Sequence, residues 1–143
     1  MNARRIIYII ALAIVAVVLY YSGNNNQYLN NEPVITRETI LNEFKDFAGH
    51  QKESKSLVGD FKTTDIFFPA DFDGYQGDEF YVTVQDGQTI ATLKYVIKEK
   101  VEKSAKTTQL EYRLKDTWRN FKPPQGKFET YHLQGNKWVG NNK

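Results

Sequence analysis

The chain has two histidines, His50 and His132, and no cysteine. The missing thiol removes disulfides, thiolate zinc sites, a lipid-modified N-terminal cysteine and a cysteine nucleophile in one step. Neither histidine stands at a telling spacing from a serine or carboxylate, so no triad or nucleophile elbow is legible. Each is read as a surface or hydrogen-bonded residue. Asp71, Asp73, Asp78 and Glu79, set around Gly74 and Gly77, offer the hard oxygen ligands that Ca²⁺ takes. With Gly74 as the turn glycine of an EF-hand, however, the first ligand position falls on Pro69 and the bidentate one on Phe80, and neither coordinates through its side chain. The spacing predicts a solvated loop, with no metal, no cofactor and no enzymatic chemistry.

Charge gives a second set of candidates. Lys98, Lys100, Lys103 and Lys106 alternate with Glu99 and Glu102, the pattern of a solvated connection rather than a basic patch. Beyond Arg4 and Arg5 the chain carries 17 basic and 17 acidic residues, which argues against nucleic acid as a partner. The balance is uneven, with 11 acids and 5 bases over residues 32–79 against 6 acids and 12 bases over 80–143. Such a split either neutralises itself on folding or presents a bipolar face to a partner. Tyr75, Trp118, Arg119 and Phe121 are the candidate partner surface, because aromatics beside basic side chains are typical interface anchors. Trp138 is read as core.

These groups must be carried by something, and the N-terminus supplies a membrane segment. Residues 6–21 are all apolar or Tyr, directly after Arg4 and Arg5. Sixteen such residues are slightly short of the roughly 20 that span a bilayer. The arginines reach back to headgroups, and Tyr20 and Tyr21 suit the far interface. Residues 4–23 are therefore expected to cross the membrane as one helix, with Ile6, Ile10, Ile14 and Leu19 along the span and residues 1–23 forming the anchor. The charge asymmetry puts the N-terminus in the cytoplasm and the rest in the periplasm or outside the cell. A cleaved signal peptide is the competing reading. Cutting after Ser22 or Gly23 would place Tyr20 or Tyr21 where a small residue is wanted.

Residues 24–34 hold five asparagines with Pro33 and read as a flexible linker. From residue 35 to 143 the pattern is that of one α+β domain. Thr36 is placed to cap a helix whose apolar stripe is Ile40, Leu41, Phe44, Phe47 and Ala48, with Gly49 as the stop. The period then changes to two: a strand over 61–68 ending at Pro69, strands through Phe80–Val84 and Leu93–Ile97 joined at Asp86-Gly87, a strand through Leu110–Leu114, and a last hairpin turning at Gln134-Gly135-Asn136. With no second helix for parallel crossovers, the sheet is expected to be an antiparallel meander of 4–6 strands. One helix followed by such a meander is similar in layout to cystatin-like domains and, second, to the NTF2-like cone. Such folds host many functions, so the layout implies architecture only.

The expectation for function is a single-pass, membrane-anchored, non-enzymatic accessory protein that binds a protein partner, as an assembly or regulatory subunit of a membrane complex. The alternatives are an inhibitor or immunity-type protein occluding a hydrolase or toxin, and a small ligand-binding domain.

Overall fold

The computed structural model describes residues 32–103, 108–120, 123 and 126–141. The expected anchor, with Arg4, Arg5, Ile6, Ile10, Ile14, Leu19, Tyr20 and Tyr21, lies outside the described residues, as do Lys106 and Phe121. Among the described residues no helix is long and apolar enough to cross a membrane. The chain divides into Met1–Glu32 and Pro33–Lys143, and the fold below is that of the second unit.

Thr36 opens the helix as its composition dictates. Its hydroxyl accepts the Thr39 N–H at 3.2 Å, satisfying one of the amides that a helix start leaves without an intrahelical partner. The helix, α1 (Arg37–Glu43), is shorter than the apolar stripe predicts. Asp46 adopts extended backbone, and its carboxylate accepts the Ala48 N–H at 3.0 Å, beginning a 3₁₀ turn at Phe47–Gly49. Aspartate competes for nearby backbone amides better than it supports a helix interior, so the turn restarts there. Phe47 is still buried, whereas Ala48 is exposed.

Six strands follow: β1 (Lys62–Pro69), β2 (Glu79–Gln85), β3 (Ile90–Lys100), β4 (Gln109–Arg119), β5 (Phe128–Gln134) and β6 (Lys137–Asn141). All pairs are antiparallel, in the order β4-β3-β2-β1-β5-β6. The fold is α+β with one six-stranded antiparallel sheet. A plain meander holds only through β4. The chain then leaves Asn120, whose N–H bonds the Ile90 carbonyl, and reaches Lys127, whose carbonyl accepts from Ala70 at the opposite end of the sheet. β5 thus pairs with β1 and sets Tyr131 edge-on to Phe68, ring centroids 5.8 Å apart. The sequence shows alternation within each strand but not which edge the fifth strand joins.

The β2–β3 hairpin turns one residue later than Asp86-Gly87 implies. Asp86 and Thr89 close the loop through Asp86 N–H to Thr89 carbonyl (3.2 Å), leaving Gly87 and Gln88 at its centre. Only Gly87 takes positive φ (95°), as a turn with glycine first requires. Asp86 acts as a cap instead: its carboxylate accepts the Thr89 and Gln88 amides at 2.7 and 3.2 Å, which hold its pKa below the ordinary value.

The inner face of the sheet carries the core. Ile66 and Phe68 (β1), Phe80, Val82 and Val84 (β2), and Leu93, Tyr95 and Ile97 (β3) are fully buried under Ile40, Phe44 and Phe47. Phe44 is the centre of an aromatic cluster, with Phe80, Tyr95 and Tyr112 rings at 5.8, 5.0 and 5.4 Å. The Arg37 guanidinium lies over Phe72 and Phe68 (5.3 and 5.7 Å) and its Nε pairs with Glu129 at 3.3 Å, fastening the start of α1 to β5. Trp138 packs against the core from β6 as expected, its indole N–H donating to the Leu41 carbonyl at 2.5 Å.

Candidate functional site

Asp71 and Asp73 of the acidic loop are exposed, whereas Asp78 and Glu79 are half-buried. Asp78 Oδ2 accepts the backbone N–H groups of Asp73, Gly74 and Tyr75 at 2.9, 2.9 and 3.3 Å, so this side chain staples the loop. Glu79 opens β2 and is engaged by Lys94 (2.6 Å) and Lys115 (2.8 Å). Burial pushes the Glu79 pKa up, but the hydrogen bonds from Lys115 and Lys94 outweigh it and leave the carboxyl below its ordinary value. Two of the four candidate oxygen ligands are thus committed to protein donors. Among the described residues, no three His, Cys, Asp or Glu side chains converge as metal ligands. A hollow of about 220 Å³ lies beside the loop, lined by Asp71, Phe72, Asp78 and Glu79 among others.

Both histidines acquire partners that the sequence does not reveal. His50 stacks on Phe44 (4.3 Å, 17° between planes) at the edge of the aromatic cluster. His132 on β5 stands directly opposite Asp65 on β1, and its Nδ1 hydrogen-bonds Asp65 Oδ1. Asp65 Oδ2 accepts from the Thr64 hydroxyl at 2.8 Å, and Asn141 Nδ2 lies 3.3 Å from His132 Nε2. A histidine held by a carboxylate on one nitrogen and an amide on the other has a fixed ring orientation.

The outer face of the sheet, opposite α1, carries a row of half-buried rings. Trp118 (β4) lies 6.5 Å from Tyr81 (β2), Tyr81 lies 5.9 Å from Phe128 (β5), and Phe128 lies 6.5 Å from Phe67 (β1). Lys94 extends over Tyr81 at 5.7 Å while bonded to Glu79. The row is bounded by the Glu79–Lys94–Lys115 group on one flank and by Asp65–His132 on the other. No family model, no curated protein and no solved structure matches the chain.

The expected partner surface is only partly assembled. Trp118 and Arg119 are neighbours near the end of β4, with Arg119 donating to the Ser56 carbonyl at 3.1 Å. Tyr75 is exposed, but it sits beside Ile97 through the Gly77–Ile97 and Asp78–Tyr75 hydrogen bonds, whereas Arg119 faces Ala91. The run from Ala91 to Ile97 separates them by about 20 Å. Tyr81, Phe67 and Phe128, which complete the row around Trp118, are residues the sequence reading missed. Their signal was the outward position of each strand's alternation, and only the register shows that they meet.

The charge split is partly neutralised within the fold. Glu79 from the acidic part pairs with Lys94 and Lys115 from the basic part. Other pairs stay within one segment, such as Lys100–Glu102 and Arg113–Glu111.

Proposed function

We propose that this chain is a single-pass, membrane-anchored accessory protein whose α+β domain is displayed outside the cytoplasm and binds a protein partner. The anchor reading is supported by the apolar run behind Arg4 and Arg5. The binding reading is supported by the outer sheet face, where Trp118, Tyr81, Phe128 and Phe67 form one row bounded by charged pairs. Aromatic rings ringed by polar groups are the usual composition of an interface core and rim. The domain sets one helix on one face of an antiparallel sheet, a cystatin-like layout modified by the β4-to-β5 crossing.

The test uses the full-length protein in its native membranes. A photo-crosslinking residue replaces Trp118 in one variant and Val101, exposed near the other end of the sheet, in another. A discrete adduct from position 118 and none from 101 is the expected result. Adducts from neither position would overturn the binding surface. A hydrolase or toxin in the adduct would turn the reading to occlusion, as in an inhibitor or immunity protein. The mass of the extracted chain checks the anchor separately, because a mature N-terminus after Gly23 removes it.

A further inference from the structure

The two edges of the sheet are guarded differently. β6 is five residues long and begins with Lys137. β4 is eleven residues long, and its second half is protected by a bulge at Lys115, where the register with β3 shifts between Lys94 and Tyr95. Bulges and charges of this kind block edge pairing. The first half of β4, from Gln109 to Leu114, has no bulge, and its two charges, Glu111 and Arg113, are of opposite sign.

Its backbone groups are aimed outward in a defined pattern. Ile97 spends its N–H on the Asp78 carbonyl and its C=O on the Gly77 N–H, both on the β2 side. Ile97 faces Tyr112 across β3–β4, so this is a non-hydrogen-bonded pair, and the Tyr112 N–H and C=O point to the open edge. Alternation extends the same orientation to Leu110 and Leu114. On the inner face these three side chains are only half-buried, because the core layer stops at β4. A hollow of about 350 Å³ lies there between α1 and β4, lined by Ile35, Leu110 and Tyr112 among others.

We infer that this edge is a self-association surface, on which a second copy pairs its own β4 antiparallel about a two-fold axis through Tyr112. The sequence is self-complementary in that register alone. Tyr112 faces its own copy, Leu110 faces Leu114, and Glu111 faces the second copy's Arg113. The three apolar pairs are the ones whose N–H and C=O groups point outward, so each exchanges backbone hydrogen bonds. The Glu111–Arg113 pairs fall on the outer face, directly opposed and of opposite charge. Within one chain, Arg113 Nε already donates to Glu111 Oε1 at 2.6 Å, so both side chains have the reach. The apolar inner stripe of one copy continues into that of the other, giving one sheet of two domains with an isologous interface.

The experiment is light scattering across a dilution series of the full-length protein in detergent, with two variants, Glu111→Arg and Arg113→Glu. Each variant places like charges opposite each other in its own dimer, so each is expected to self-associate about tenfold more weakly than the native chain, or worse. Mixing the two restores opposite charges across the two-fold, and a 1:1 dimer of native strength is expected. A role for Glu111 and Arg113 inside one chain is not rescued by mixing. The inference is overturned if the native chain stays monomeric throughout, if both variants dimerise like the native chain, as an interface through the anchor would allow, or if the mixture stays monomeric.

Discussion

The amide of Ile35 donates to the carbonyl of Gly74 at 2.9 Å, and the Ile35 carbonyl lies so close that a Cβ on Gly74 would overlap it. This contact fastens the segment before α1 to the acidic loop. Gly74 also holds φ at +85°, which L-residues rarely adopt. Gly74→Ala is therefore expected to cost about 2–4 kcal/mol, the sum of left-handed strain and a backbone clash. Gly77→Ala is the control. It shares positive φ (98°) but has open space around it, so only about 1 kcal/mol is expected. Urea unfolding of both variants measures the difference.

Asp78 holds three loop amides with one carboxylate oxygen. Asp78→Ala should lower stability by about 1–3 kcal/mol, because those donors lose a charged acceptor. Since that carboxylate and Glu79 are occupied by protein donors, added Ca²⁺ is expected to leave the melting temperature of the native chain unchanged. A rise with Ca²⁺ in differential scanning calorimetry would contradict this assignment of the loop.

The Glu79–Lys94–Lys115 group gives a pH signature. The folded-state pKa of Glu79 lies below the ordinary 4.5, so its stabilisation is fully present above pH 4.5 and fades as pH falls through the lower, folded value. Lys94 is shifted up from 10.5, chiefly by its hydrogen bond to Glu79, so its share persists below pH 10.5 and is lost above it. Glu79→Gln should remove the first dependence and reduce the second, of which the part from Tyr81 remains. The stability difference between native and variant chains, followed from about pH 3 to about pH 6, should shrink toward the acid end.

Phe44 touches Phe80, Tyr95, Tyr112 and His50 at once. Phe44→Ala opens the middle of the inner layer and should cost about 3–5 kcal/mol. Trp138→Phe keeps the packing but leaves the Leu41 carbonyl without its indole donor, with an expected loss of about 1 kcal/mol. Denaturant midpoints rank the two, and a reversed order would misplace the core.

The strand interiors were legible because a half-buried strand writes its burial as strict alternation, as in Phe80-Tyr81-Val82-Thr83-Val84. The N-cap at Thr36 and the break at Pro69 were legible because each acts on its immediate neighbours. The end of α1 was not, since the apolar stripe runs on through Phe47 while the helix stops at Glu43 and Asp46 caps a separate 3₁₀ turn. For the candidate surface, Trp118 and Arg119 were visible as interface types, but Tyr81, Phe67 and Phe128 were not.

The sequence by itself determined the period of each element, the α+β class, the antiparallel sheet and the absence of thiol chemistry. These depend on residue types and on contacts a few positions apart. Tertiary structure decided that β5 crosses to β1, that His132 meets Asp65, and that four rings from four strands share one face. Each of these brings together residues or elements whose order along the chain does not fix their order in space. The register of the strands alone sets which side chains meet, and a shift of one residue would have turned every one of them to the other face.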